Sequence, residues 1–310
     1  MSKNCNLFVL VSNTYTGRKI LNGITQERRE IIEVLGLNSL YDEIINNKFK
    51  ITKNYREDIR FCFLNDCTKS ELETYLNLLK DKYNYSNIML CLSGHGCNSS
   101  GMCSFQTQDN EIISLSDIIS ILNTDKLLTI NVLLDMCRSG QIKNKNFSTN
   151  LINLIRNKRV VVITPVRRGE STSDTVNGGY LIQALVKTIL KKKDLFIKGL
   201  FSFQDTIRLV KYIVLNNIEL RLIKKYNLTL ERFLDGIIIN KNPGYKIIHN
   251  LICKQFPSVY ISAHGMSYLN RIPKQLEYYR FILNILKRRV SDLRLEDAVV
   301  RINPTVIREK

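Results

Sequence analysis

Asn87-Ile-Met-Leu-Cys-Leu-Ser-Gly-His-Gly96 decides the reading of this chain, together with Thr129-Ile-Asn-Val-Leu-Leu-Asp-Met-Cys-Arg-Ser-Gly140 further along. Each opens on a short aliphatic run and closes on polar residues and glycine, the pattern of a buried β-strand. Residues 87–92 and 129–134 are therefore read as strands, with His95 and Cys137 at their ends. If the strands are neighbours, the two residues meet where open α/β sheets carry their chemistry. The pair suggests a Cys–His thiol protease, and the sequence offers no comparable second site.

The remaining elements alternate. Residues 6–11, 59–64 and 159–164 read as strands, and 257–262 as a last one with Pro257 at its first position, where the missing N–H is tolerated. Helices are expected over 26–35, after Thr68, from about Ser116-Asp117, and over 179–192. Thr68-Lys-Ser-Glu71 fits a capping box, in which hydroxyl and carboxylate satisfy free N–H groups at the helix start. The stretch from the His motif through Asn110 reads as a polar loop. The tail from His264 reads as basic and helical, with Tyr278, Ile282, Ile285 and Leu286 available to pack on the domain. Strands alternating with helices imply an α/β fold, a mostly parallel sheet covered on both faces.

Bulk properties narrow the classes. A chain of 310 residues with 44% hydrophobic content can bury a full core. No run approaches the ~18 apolar residues of a membrane span, and no signal-peptide pattern opens the sequence. An intracellular, cytoplasmic protein is expected. Eight cysteines at irregular spacing do not make a disulfide framework. The net charge of +18 is dispersed, with small clusters at Lys191-Lys192-Lys193 and Lys287-Arg288-Arg289. A solvated basic surface accounts for it; nucleic acid is a conceivable partner, but no zinc-finger, helix-turn-helix or RNA-binding signature accompanies the charge.

The chemistry follows from residue types. A thiolate attacks a carbonyl far better than a thiol, so Cys137 needs a nearby base, and His95 can serve. Backbone N–H groups of Gly96 and of Cys137 itself are candidates for the oxyanion hole. Asp135, two positions before the cysteine, lies on the same side of an extended chain. It can orient the site, line an acidic pocket selecting Arg or Lys, or be a turn residue. Cys91, His95, Cys97 and Cys103 are zinc-type ligands but lack paired C-x2-C spacing. A zinc site there leaves residues 135–140 unexplained.

With these residues in hand, the chain resembles the caspase-like cysteine peptidases of the metacaspase and paracaspase branch. Ser93-Gly-His-Gly96 resembles the family's His motif. Leu133-Leu-Asp-Met-Cys-Arg138 is similar to the paracaspase nucleophile segment, and Asp135-Met-Cys-Arg-Ser-Gly140 to the D-x-C-x-S-G of metacaspases. Glu170-Ser-Thr-Ser-Asp174 is similar to the metacaspase stretch ending T-S-A-D. Gly178-Gly-Tyr-Leu-Ile-Gln-Ala-Leu185 resembles the helix start that follows. The resemblance implies a three-layer α/β/α sandwich, with five parallel strands and one antiparallel edge strand, six in all. It implies a peptidase domain over 1–264, in a large-subunit-like part to about 140, a linker over about 141–158 and a small-subunit-like part over 159–264, followed by the tail 265–310. It also implies an endopeptidase with Cys137 as nucleophile and His95 as base, acting on protein or peptide substrates. Asp135 and Asp174 would form an acidic pocket for Arg or Lys before the cleaved bond, with Glu27 of the first helix as a third carboxylate. Self-cleavage is conceivable at Lys143, Lys145, Arg156, Lys158 or Arg159. No metal or cofactor is expected; calcium activation, common in metacaspases, has no dense acidic cluster to support it here. Two other readings stand beside this one: an inactive caspase-like scaffold or decoy that binds protease or signalling partners, and a nucleic-acid-associated protein. Monomer and dimer are equally compatible with the sequence.

Overall fold

The first strand shows why the sheet is covered on both sides. Cys5–Ser12 (β1) is buried along its whole length. Successive side chains of a strand point to opposite faces. Leu7, Val9 and Val11 accordingly enter one apolar cluster, while Phe8 and Leu10 enter another. A strand buried twice reads as a continuous apolar run rather than an alternating one. The computed structural model describes residues 5–17, 20–54, 58–99, 102–136, 157–164, 178–226 and 258–261.

Along the chain, β1 is followed by α1 (Gly23–Val34), α2 (Tyr41–Asn46), β2 (Phe49–Asn54), β3 (Ile59–Asn65), α3 (Lys69–Lys82) and β4 (Tyr85–Ser93). Next come β5 (Gly96–Ser99), β6 (Met102–Gln106), β7 (Ile112–Ser114), α4 (Leu115–Leu122), β8 (Thr129–Asp135) and β9 (Arg159–Thr164). Then follow α5 (Tyr180–Lys191), α6 (Lys193–Phe201), α7 (Phe203–Tyr226) and β10 (Ser258–Ile261). Among the described residues the main sheet runs β10-β9-β8-β4-β1-β3-β2. β1, β3, β4, β8 and β9 are parallel; β2 and β10 pair antiparallel at the two edges. Helices α3 and α4 cover one face through Leu72, Leu76, Leu79, Ile118, Ile119 and Leu122. Helices α1, α5, α6 and α7 cover the other through residues such as Ile31, Leu185, Phe196 and Ile213. This is the α/β/α sandwich the sequence implies.

Two local features depart from the sequence reading. β2 adds a second antiparallel edge to the expected six strands. In Phe49-Lys-Ile-Thr-Lys-Asn54, Phe49 and Ile51 pack on the core, and the intervening lysines suit an edge that must not pair further. The expected polar loop before Asn110 is instead a three-stranded antiparallel sheet, β5-β6-β7. Its strands are short and mix Ser and other polar residues with isolated apolar ones, so no run signals them; Phe105 and Ile113, both buried, anchor them. The Thr68–Glu71 capping box forms as expected. A second one, Ser114 with Asp117, starts α4 just before the expected position. The C-terminal tail lies outside the described residues. Among those residues no helix is long and apolar enough to cross a membrane.

Candidate active site

The sheet brings the ends of the two motif-bearing strands together. β4 and β8 run side by side with Ser93 opposite Asp135, and Gly94 N donates to Asp135 O at 3.3 Å. From β1 the chain goes out to β3 and returns across β1 to β4, so the order reverses between β1 and β4. Open sheets form their crevice at such a switch point, at the carboxyl ends of the strands. His95 follows β4 there, and Gly96 opens β5. Cys137 and Asp174 lie outside the described residues; Cys137 follows Asp135 by two positions in the sequence.

Two buried carboxylates flank this point. Glu27 lies on the sheet-facing side of α1 and is 1% exposed; Asp135 ends β8 and is 4% exposed. Both reach the start of α5. Gly179 N donates to Glu27 Oε1, while Leu181 N and Ile182 N donate to Asp135 Oδ2 at 2.8 and 2.7 Å. Ser93 Oγ donates to the other Glu27 oxygen. The first N–H groups of a helix lack intrahelical partners and favour negative charge, so the carboxylates act as the cap that Gly179 cannot supply. Gly178 and Gly179 make this approach possible. A Cβ at 178 would fall on the Glu27 side chain, and one at 179 on the Asp135 carboxyl. The sequence reading named Glu27 and Asp135 but gave no role to Ser93 and did not foresee the helix start between them; contacts between segments so far apart leave no local pattern.

The loop after β1 supplies the wall facing His95. The Tyr15 ring lies against the imidazole, with centroids 4.6 Å apart. This loop is fixed from below. Asp66 Oδ1 accepts from Thr14 N at 2.6 Å and Thr14 Oγ1 at 2.8 Å. Its other oxygen pairs with the Arg28 guanidinium at 2.9 Å, and Arg28 also donates to Ser12 Oγ and Ser12 O. Burial pushes the Asp66 carboxyl up, but Arg28 and the Thr14 donors outweigh it and hold the group below the usual range. The Tyr15 phenol is pushed well up by burial.

The zinc reading is best judged from Cys91, the first of its proposed ligands. Cys91 is fully buried within β4 and packs in the core under α5. Burial, then the Asp135 and Glu27 charges, push its thiol far up. Among the described residues, no three His, Cys, Asp or Glu side chains are grouped to hold a metal ion.

The switch-point crevice of an open α/β sheet, with His95 at the end of one strand and buried carboxylates beside it, is a place where enzymes of this architecture carry their chemistry. The sequence model of the caspase domain matches residues 7–262. The chain therefore belongs to the caspase-domain family of cysteine peptidases. No curated protein sequence matches it. Among solved structures, the chain is similar to caspase-1 from Spodoptera frugiperda, with a TM-score of 0.48 and 8% identity over 84% of this chain and 92% of that one.

Proposed function

We propose that this protein is a cysteine endopeptidase of metacaspase or paracaspase type that cleaves after Arg or Lys. Cys137 is the nucleophile and His95 the general base. The observation that carries the reading is the register Ser93 to Asp135: the end of the His-bearing strand lies beside a buried carboxylate that precedes Cys137 by two positions in the sequence, with buried Glu27 close by. Asp135 and Glu27, with Asp174, are the acidic groups that favour a basic side chain before the scissile bond. Gly96 supports the oxyanion-hole assignment. It stands opposite Phe105, next to the ladder bond from Gln106 N to His95 O. That makes Gly96–Phe105 a pair whose N–H groups point away from the ladder, and glycine lets a substrate approach.

The subunit-like division at about 140 and 159 belongs to the same proposal, as does action without a metal cofactor. The test is a fluorogenic peptide set varying only the residue before the scissile bond, run on wild type and Cys137→Ala, with EDTA and with calcium. Cleavage after Arg or Lys, lost in the variant and indifferent to EDTA, is the expected result. Cleavage after Asp would keep the nucleophile and overturn the acidic pocket. No cleavage, with Cys137 inert to a covalent thiol probe, would overturn the enzyme reading in favour of a binding scaffold.

A further inference from the structure

His95 stands in a ladder that one side chain has opened. Gly96 is opposite Phe105, so His95 faces Gln106, and Gln106 N donates to His95 O at 3.0 Å. In an antiparallel sheet such a pair exchanges both bonds, and the return bond would run from His95 N to Gln106 O. It runs through Tyr15 instead. His95 N donates to the Tyr15 hydroxyl at 2.9 Å, and that hydroxyl donates to Gln106 O at 2.6 Å. The phenol oxygen is spliced into the ladder at the residue that bears the imidazole, while its ring packs against that imidazole.

The splice is built rather than incidental. Tyr15 is buried at φ +61°, a conformation uncommon for a bulky residue. Its own N–H donates to Gln108 Oε1 at 3.2 Å, and Thr14 is tied to Asp66. Asn13 Nδ2 also donates to Gln106 O, at 3.3 Å. Gly94 leaves the necessary room: a Cβ there would come within 2.7 Å of the phenol oxygen and 2.9 Å of the Phe105 ring.

We propose that Tyr15 is the positioning residue that sets the place of His95, a role that rests on the reading of His95 as the catalytic base. Two hydrogen bonds in series keep His95 N and Gln106 O further apart than one direct bond of ~2.9 Å would. Without the hydroxyl, the ladder closes directly and carries His95 with it. A displacement of about 1 Å can cost roughly 10²-fold in rate. A purely structural tyrosine would behave differently: its loss would lower stability yet leave the turnover of each folded molecule unchanged.

The test uses the full chain as wild type, Tyr15→Phe and Tyr15→Leu. kcat and KM are measured on an Arg peptide, per thiol titrated with an irreversible thiol reagent. The His95 backbone amide and imidazole signals are followed by NMR, assigned with His95→Gln. Tyr15→Phe is expected to lower kcat about tenfold with KM little changed, the mark of a lost transition-state arrangement, and to shift the His95 amide. Tyr15→Leu is expected to do at least as much and to shift the imidazole signals as the ring contact goes. Unchanged kcat per titrated thiol in both variants overturns the inference. If Tyr15→Leu does not fold, Tyr15→Phe, which keeps the ring, decides alone. If wild type cleaves no peptide, the peptidase reading falls by itself; the positioning role is then judged by the His95 signals, upheld if Tyr15→Phe moves them and overturned if it does not.

Discussion

At the residue scale, the site is a set of charges whose partners the fold supplies. Asp66 is the clearest case. It ties Arg28 to the loop that carries Tyr15, and its carboxyl is held below the usual range. A depressed acid contributes stability that is present above its unfolded value of about 3.9 and is lost as pH falls through the lower folded value. Asp66→Asn should therefore lower the urea midpoint at pH 7 by the equivalent of about 2–3 kcal/mol, as expected for charged hydrogen bonds to a buried guanidinium. The gap between variant and wild type should close as pH drops below that folded value, where the wild-type acid is neutral too; a constant gap down to pH 2 would contradict it. Glu27 makes a different prediction because it meets both the α5 start and Ser93. Glu27→Gln keeps an acceptor for Gly179 N but loses the charge. If Glu27 faces a substrate guanidinium in a desolvated pocket, kcat/KM for Arg peptides should fall by the equivalent of about 2–5 kcal/mol, against little change for any peptide cleaved at an uncharged residue. An equal fall for both kinds of peptide would make Glu27 a structural cap only. Asp135 was legible from its place two residues before Cys137, and Glu27 only as a carboxylate of the first helix that the family resemblance implies. Tyr15 was not: a left-handed tyrosine breaks a local preference, and its reason lies in residues 94–106.

At the element scale, the start of α5 is where packing and chemistry coincide. A helix beginning at Gly179 has no side chain to cap itself, and Asp135 of β8 caps it from across the sheet. Gly179→Ala places a methyl on that carboxyl, so the acid must leave Leu181 N and Ile182 N. Losing a cap of this kind costs about 1 kcal/mol, and the helix N-terminus loses its compensating charge as well. The expected outcome is a lower thermal midpoint together with weaker Arg-peptide cleavage; full activity at wild-type stability would show that the carboxylate has room the structure does not reveal. Elements with local signatures were readable. The Thr68 box is written in four adjacent residues, and β9 is a bare aliphatic run. β5, β6 and β7 were not readable, because strands of three to five mixed residues are too short to show a period and only the pairing across the hairpins makes them strands. Ser114 was passed over for Ser116 because both hydroxyls precede the same apolar face; only the hydrogen bond from Asp117 N to Ser114 Oγ separates them.

At the scale of the whole molecule, strand order converts sequence distance into adjacency. β8 lies between the His-bearing strand β4 and β9, which in turn borders the antiparallel edge β10, and β9 follows β8 in the chain after the stretch implied to be a linker. The fold ranks the basic residues of that stretch as cleavage sites. Arg159 begins β9 and pairs with Thr129, and Arg159 N donates to Leu128 O at 3.0 Å. The Lys158 ammonium donates to Thr124 O at 3.0 Å and Leu127 O at 2.7 Å. A peptide held for cleavage is extended with its basic side chain in the pocket, and neither residue can adopt that role without unpairing the start of β9 from β8 and from the turn after α4. If the proposed Arg/Lys specificity extends to the chain itself, self-cleavage should fall after Lys143, Lys145 or Arg156 and spare Lys158 and Arg159. Intact-mass and N-terminal sequencing of purified wild type, beside Cys137→Ala, reads this directly. Fragments beginning at residue 144, 146 or 157 that vanish in the variant are the expected result. A fragment beginning at Arg159 or Val160 would mean that β9 detaches before cutting, and that the folded register of β8 with β9 is not the state the enzyme processes.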